Sequence, residues 1–398
     1  MSNIGIVENC FGCGVCSMVC GKKLIKMKIS SEGFYVPYIE NAENCTNCGL
    51  CESVCSYLTP SISVENHPQL SLAAWSRDEN VRKESSSGGV CYEFERTLMD
   101  EGFKACLVRY NTKQHRAEHY IANTLDELQQ GLGSKYIQSY TLDAFSSMGK
   151  HEKYLVVGTP CQIDSFRRYA MRMKKDEDYF LIDFFCHGVP SMLMWGKYVK
   201  YMKDKVGQIA YVSWRNKQTG WHDSWVMTAD GSERCNKING ETNASTHDYF
   251  SRRSKGDPFF TMFLNDMCFN KPCYTHCKYK YDQSAADIRV GDLWGNTFAL
   301  DEKGVSAVVA FTQRGVDLIK KSNLEFTSYP FEIVAEGQQK SRIAYRKGRD
   351  EIVEYMKNDH VTIEDVVKLQ QKIQKRQLLI KRITHPIVSC RNLIKKIR

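Results

Sequence analysis

Apolar positions change period several times along this chain. From about residue 71 to 335, short apolar runs alternate with stretches of helical spacing. Leu72–Trp75, Ala105–Arg109 and Ala117–Ala122 read as strands, and Ala307–Phe311 as a further one. Tyr154–Val157 is an unbroken apolar run and Phe180–Phe185 one broken only by Asp183, the pattern of strands covered on both faces. Val90, Phe94 and Leu98 recur every fourth residue after the break Ser85-Ser86-Ser87-Gly88-Gly89 and predict a helix. Leu125–Gln130, Leu142–Gly149 and Gly315–Lys321 predict shorter helices. This alternation predicts a mixed α/β or α+β domain. Ahead of it, Ile25–Ile29 and Phe34–Ile39 alternate in part and predict a hairpin turning over Ser30–Gly33. Residues 60–70, with Pro60 and Pro68, read as a linker. Near the C-terminus Val366, Leu369, Ile373, Ile380, Ile383 and Ile387 fall at three- and four-residue steps, interrupted near 376. They predict an amphipathic helix with a basic opposite face, running until Pro386.

A chain of 398 residues predicts two or three domains. The net charge of +9 is uneven: from Ile363 to Arg398 there are ten Lys/Arg against two Asp/Glu. The body is near neutral, so nucleic-acid binding has no support. The basic helix is expected to dock on the body, with a membrane-surface or partner contact as the alternative. Met1–Val7 lacks a basic n-region and a long apolar core, and no apolar run reaches spanning length. The expectation is a cytoplasmic, reduced protein whose seventeen cysteines are ligands, redox groups or small core residues.

Eight of those cysteines form two identical runs. These are Cys10-x2-Cys13-x2-Cys16-x3-Cys20 and Cys45-x2-Cys48-x2-Cys51-x3-Cys55. Paired knuckles for zinc use two ligands per arm, whereas a third and fourth cysteine at this spacing suit two 4Fe–4S clusters of the bacterial ferredoxin kind. The fourth cysteine of each run serves the other cluster. One set is then Cys10, Cys13, Cys16 and Cys55, and the other Cys45, Cys48, Cys51 and Cys20. The usual proline after the fourth cysteine is replaced by Gly21 and Ser56.

Four later loops adjoin predicted strands or helices, where α/β proteins place ligands. They are Ser85–Gly89, Gly158-Thr159-Pro160-Cys161-Gln162, Cys186-His187-Gly188-Val189-Pro190-Ser191, and Cys268-x4-Cys273-x3-Cys277 followed by Ala286–Gly295. Serine and glycine at a helix start can hold a phosphate, or simply cap the helix. Cys161, Cys186, Cys268, Cys273 and Cys277 are five candidates for a third cluster.

Together with Gly133-Ser134-Lys135-Tyr136, these motifs resemble, in order, those of the coenzyme F420 hydrogenase/dehydrogenase beta-subunit family with a fused ferredoxin domain. The resemblance covers about residues 1 to 335. It implies a ferredoxin domain over 1–60, a flavin and iron–sulfur domain over 71–335, and a basic helical extension over 336–398. It further implies a third 4Fe–4S cluster on Cys161, Cys186, Cys273 and Cys277. FAD would lie against Ser87, Gly88, Gly89, Ser134, Lys135 and Tyr136, with Asp287, Gly291 and Asp292 closing the pocket. The family's last two cysteines are two residues apart; here Tyr274, Thr275 and His276 intervene, so Cys268 stays an alternative ligand.

Clusters pass single electrons, whereas a flavin can accept one at a time and deliver two. The expected activity is therefore an iron–sulfur flavoprotein oxidoreductase. Its electrons would come from a ferredoxin or a redox partner subunit, and its substrate would be a small organic molecule or deazaflavin. The alternative is an electron-transfer subunit with no substrate of its own. Tyr136, His187 and Lys135 are the candidate proton donors, by position in the loops.

Overall fold

The computed structural model describes residues 3–237 and 247–384. A nine-stranded mixed sheet forms the body, in the order β14-β3-β13-β12-β8-β7-β4-β5-β6. Its strands are β3 (Leu70–Ser76), β4 (Phe103–Asn111), β5 (Arg116–Ala122), β6 (Ser139–Tyr140), β7 (Lys153–Val157), β8 (Tyr179–Phe184), β12 (Ile288–Asp292), β13 (Ser306–Ala310) and β14 (Leu324–Ser328). β4, β7, β8 and β12 are parallel neighbours. β3 is two antiparallel steps from β12 and runs the same way. The loops that follow β3, β7, β8 and β12 therefore emerge at one end of the sheet, where parallel strands place ligands. Apart from Lys153 at the start of β7 and Asp183 in β8, both strands are apolar, as suits strands covered on both faces.

The expected helix after the serine–glycine break spans Val90–Asp100, with Val90, Phe94 and Leu98 buried. The hairpin is β1 (Ile25–Ile29) paired with β2 (Tyr35–Ile39). A second sheet was not expected. β9 (Ile209–Ser213), β10 (Val226–Gly231) and β11 (Tyr249–Arg252) are antiparallel, and they share an aromatic-rich core with the helices Met192–Val206 and Pro258–Leu264.

Ala286–Gly295, read above as a loop, contains the central strand β12. Its charges hid it. Arg289 lies opposite Asp183 on β8 and donates to both carboxylate oxygens at 2.7 Å, with both side chains fully buried. Ser284 adds a third bond to that carboxylate at 2.7 Å.

The C-terminal helix spans Ile363–Thr384. Ile363, Val366 and Ile373 are buried against the aromatic core, but Ile380 is 53% exposed, beside exposed Leu378 and Leu379. The apolar stripe thus meets the body only over its first half. Ile387 and Pro386 lie outside the described residues. Among the described residues no helix is long and apolar enough to cross a membrane.

The N-terminal unit docks on the body through backbone carbonyls. Cys10 O accepts from Asn270 at 2.8 Å, Phe11 O from Gln138 at 3.2 Å and Cys13 O from Thr141 at 3.0 Å. A Cβ on Gly12 would fall 2.3 Å from Gln138 Nε2, so only glycine admits this approach. Glu32, in the hairpin turn, accepts from Lys271 at 2.6 Å and lies 2.7 Å from the buried guanidinium of Arg349. Burial pushes the Glu32 carboxyl up, but Arg349 and Lys271 outweigh it and hold the pKa below the usual 4.5. Glu32→Gln should destabilise the protein by about 1–3 kcal/mol at neutral pH, the cost of leaving buried donors short of a partner. A depressed carboxyl pKa gives stability that is present above pH 4.5 and lost as the pH falls through the lower folded value. Denaturation of wild type and variant at pH 7 and pH 3 should show the gap closing in acid; an equal gap at both would refute the assignment.

Candidate functional site

The two cysteine runs fold alike. Gly12 and Asn47 occupy equivalent positions with φ of 70° and 52°, and Gly14 and Gly49 follow with 76° and 72°. These left-handed turns aim amides inward: Gly12 N donates to Cys10 Sγ at 3.3 Å, and Asn47 N to Cys45 Sγ at 3.4 Å. Short helices, Val15–Val19 and Leu50–Ser53, then carry Cys16 and Cys51 and lead to Cys20 and Cys55.

The two expected sets differ in burial. Cys10, Cys16 and Cys55 are buried and Cys13 half-buried, whereas of the other four Cys51 is buried, Cys20 and Cys45 are half-buried and Cys48 is exposed. Burial pushes the Cys10 thiol well up, and the charges of Cys13 and Cys55 push it further. Cys16 is raised in the same way, by burial and then by Cys13, Cys10, Cys55 and Cys51. Cys55 thus stands with the first run, across the interface between the runs. Four thiols that cannot ionise without a counter-charge suit an iron–sulfur core, which supplies it.

A second constellation lies beside this inner set. Cys161 sits in the first turn of the helix Pro160–Met173, where Thr159 and Gln162 form a capping box. The Thr159 hydroxyl is 3.2 Å from Cys161 Sγ. Burial raises the Cys161 thiol strongly, Thr159 opposes, and Cys186, Cys273 and Cys13 add to the rise. Burial also raises Cys186, to about 11; Lys280 opposes and Cys277 adds. Cys273 is pushed to about 12 by burial, then by Cys186 and Cys277. The charges of Cys186, Cys273 and Cys13 thus reach Cys161, and that of Cys277 reaches Cys186 and Cys273; among the described residues no three His, Cys, Asp or Glu side chains close on one point as metal ligands do. The docked unit and this group also share bonds. Ser56 Oγ donates to Cys161 O at 3.0 Å, and Lys278 Nζ donates to Ser56 O at 2.9 Å and Ser61 O at 2.7 Å. Phe11 bridges edge-on to Tyr57 and Tyr279. Cys268 is elsewhere. It is fully buried, and its thiol lies 3.3 Å from Met194 Sδ in the aromatic core.

The remaining predicted residues divide. Ser86, Ser134, Tyr136 and Asp292 converge on Arg215, which the sequence reading missed. Arg215 Nη1 donates to Asp292 Oδ2 at 2.8 Å and to the Tyr136 hydroxyl at 3.2 Å; Nη2 donates to Ser86 O at 3.2 Å. The guanidinium sits 5.1 Å from the Trp225 ring and 5.5 Å from that of Trp294. Trp221 stacks on Trp294 at 5.0 Å and donates to Asp292 Oδ1 at 3.2 Å. Ser134 N donates to Ser86 Oγ at 2.8 Å, joining two of the expected flavin loops. Three tryptophans within Trp214–Trp225 were the available signal for this region.

Ser87 donates to Val305 O at 2.8 Å, and Gly88 N to Ser306 Oγ at 2.9 Å. Gly89, with φ of 84°, caps the helix Val90–Asp100 without a side-chain bond. Ser85 Oγ is buried and has no partner among the described residues. Lys217 is the second cation missed: its Nζ donates to Ser87 O at 2.5 Å and Arg82 O at 2.6 Å. Burial lowers it to about 7, and Arg215 and Arg82 add to the fall.

Four expectations change. Asp287 closes no pocket. It lies at the far end of β12, about 16 Å along the strand from Asp292, and its carboxylate is spent internally. It accepts from Arg167 at 3.0 Å, Arg314 at 2.8 Å, Thr312 at 3.0 Å and the Leu181 amide at 2.9 Å. Gly291 acts by absence, since a Cβ there would fall 2.8 Å from Phe185 Cδ2. His187 has no free nitrogen: Nε2 is 2.7 Å from Asp266 Oδ1 and Nδ1 is 2.8 Å from Gln339 Nε2. Both ring nitrogens are thus taken by protein partners, a carboxylate and an amide. Lys135 Nζ donates to Gly131 O and Leu132 O at 2.8 Å, closing its own loop. Burial pulls its pKa down to about 7, with Glu95 opposing.

The fold and its cysteines thus define an iron–sulfur protein. Residues 9–58 match the 4Fe-4S dicluster domain. Residues 71–146 match the N-terminal part, and residues 151–328 the C-terminal part, of the coenzyme F420 hydrogenase/dehydrogenase beta subunit. The two parts together cover well over half of the chain, and it belongs to that family. Two 4Fe–4S clusters and an oxidoreductase setting follow from these matches. A comparison with curated proteins finds no match. Among solved structures, a chain of the xenon-derivatised F420-reducing NiFe hydrogenase complex from Methanosarcina barkeri is similar at 16% identity. Its TM-score is 0.44, with 79% of this chain and 94% of that chain covered.

Proposed function

We propose that this chain takes electrons from a redox partner protein and delivers them through three 4Fe–4S clusters to FAD, at which an organic substrate or deazaflavin is reduced or oxidised. The observation that carries this reading is the placing of Cys161, Cys186, Cys273 and Cys277. They adjoin the inner cysteine set on one side and, through Cys186, His187 and Phe263, the Tyr136 loop on the other. His187 packs on Phe263 at 5.2 Å, and Phe263 on Tyr136 at 5.3 Å. The exposure of Cys48 supports entry of the partner's electrons at the outer set.

The residues suit a flavin. The buried, unpartnered Ser85 hydroxyl at the helix start suits a phosphate, and Arg82, Arg215 and Lys217 bring positive charge to that end while their donors hold the surrounding loops. Tyr136, Trp225 and Trp294 offer aromatic walls for a ring. The flavin, when bound, supplies the conversion between single electrons and a two-electron product. Tyr136 accepts from Arg215, which leaves its own proton to donate. Arg215 fixes Tyr136 and Asp292 in position, and the tryptophans exclude water.

Anaerobic purification of the full chain, with iron and flavin counted on one sample, should give about twelve irons and one flavin per chain. About eight irons without flavin would leave only a two-cluster electron carrier.

A further inference from the structure

We propose that Lys280 is a positioning residue that sets the reduction potential of the four-cysteine site by holding a fixed positive charge on the backbone of Cys186. This rests on the third-cluster reading above. Lys280 Nζ donates to Cys186 O at 2.5 Å, to His187 O at 3.0 Å and to Gln339 Oε1 at 2.6 Å. Three donors meet three acceptors, so the ammonium has one position, and that position is the turn carrying Cys186. Its three bonding partners are neutral: two carbonyls and an amide. No carboxylate is among them, and the charge is not cancelled by its own hydrogen bonds. Gln339 locks the arrangement from outside, since its amide nitrogen lies 2.8 Å from His187 Nδ1.

The holder comes from beyond the family match, which ends at residue 328. Residues 338–349 form a strap across this end of the sheet. Gln338 donates to Asp292 O at 2.7 Å, Arg342 to Thr275 O at 2.5 Å, Arg346 to Asp266 Oδ2 at 2.5 Å and Arg349 to Phe269 O at 3.1 Å. The strap therefore ties down the segment that carries Cys273, and Lys280 is half-buried beside it. A charge in a partly buried site acts more strongly than at the surface.

One electron passed from the inner set to the four-cysteine site leaves the donor one unit less negative and the receiver one unit more. A nearby ammonium stabilises the more negative state and so raises the potential at which the receiver is reduced. The inner set has its own ammonium, Lys278, on the carbonyl of Ser56 beside Cys55, whereas Lys280 bonds only the Cys186 turn and Gln339, so its charge acts chiefly on the four-cysteine site.

The test is a redox titration followed by electron paramagnetic resonance on the anaerobically prepared full chain, with iron counted. Lys280→Gln keeps donors for the two carbonyls but removes the charge. Its third midpoint should fall below wild type while the other two stay put, and Lys280→Arg should restore it. An unchanged third midpoint in Lys280→Gln overturns the proposal. Loss of the third signal in Lys280→Gln but not in Lys280→Arg supports the need for charge. Loss in both overturns it, because shape would then be what the turn requires. A wild-type chain with two signals and about eight irons refutes the third-cluster reading itself, an outcome distinct from all of these.

Discussion

Arg289→Leu should cost about 3–5 kcal/mol of stability, because it strands the fully buried carboxylate of Asp183 in the centre of the sheet. Arg289 supplies two of the three hydrogen bonds to that carboxylate, and no water reaches it. It also donates to Tyr281 O at 2.9 Å and Gln283 O at 3.0 Å, so it ties the segment after Cys277 to β12. Denaturant unfolding of variant and wild type measures the loss. Replacing both partners, as Asp183→Leu with Arg289→Met, should recover most of it, since the cost lies in the unpaired charge rather than in the pair. A single variant within about 1 kcal/mol of wild type would contradict this account.

Arg215→Ala should abolish flavin retention while leaving the N-terminal clusters in place. Each charge-assisted bond lost is worth about 1.5–3 kcal/mol, and every 1.4 kcal/mol is tenfold in affinity, so binding should weaken at least ~10-fold to 100-fold. The effect is compounded because Arg215 joins three loops: Ser86, Tyr136 and Asp292 all bond to it. Arg215→Lys keeps a charge without the planar fork and should bind flavin weakly. Flavin bound after desalting, set against iron from the same sample, reads the result. Wild-type retention in Arg215→Ala would remove Arg215 from the site.

The parts legible in the sequence were those governed by local spacing. Two repeats of one cysteine pattern, two apolar runs of sheet-centre type, and a four-residue period after Gly89 each carry their meaning within a short window. What escaped depends on partners far along the chain. Ile288–Asp292 looked unlike a buried strand because Arg289 finds Asp183 more than a hundred residues earlier. Arg215 gave no sign of being a hub, since its partners come from three separated loops. Lys278 and Lys280 flank Tyr279 in a run that resembles a solvated edge, yet both ammoniums turn inward to carbonyls. His187 and Asp287 erred in the opposite direction: chemically capable side chains already committed to neighbours. The amphipathic stripe was real as a helix, but periodicity could not tell where the body beneath it ends, and Ile380 lies past that edge.

The docking of the N-terminal unit bears on how the protein is built. The carbonyls of Cys10, Phe11 and Cys13 are bonded to Asn270, Gln138 and Thr141, side chains that the ribosome adds more than a hundred residues later. Once these contacts close, Cys10, Cys16 and Cys55 have little surface left through which a carrier could hand over iron and sulfide. An undocked chain, during synthesis or in an opened intermediate, exposes these thiols more fully than the finished fold does. The outer set, with Cys48 at the surface, stays open to repair in the finished fold. Access to Cys10, Cys16 and Cys55 thus changes with docking, whereas Cys48 is reachable before and after it.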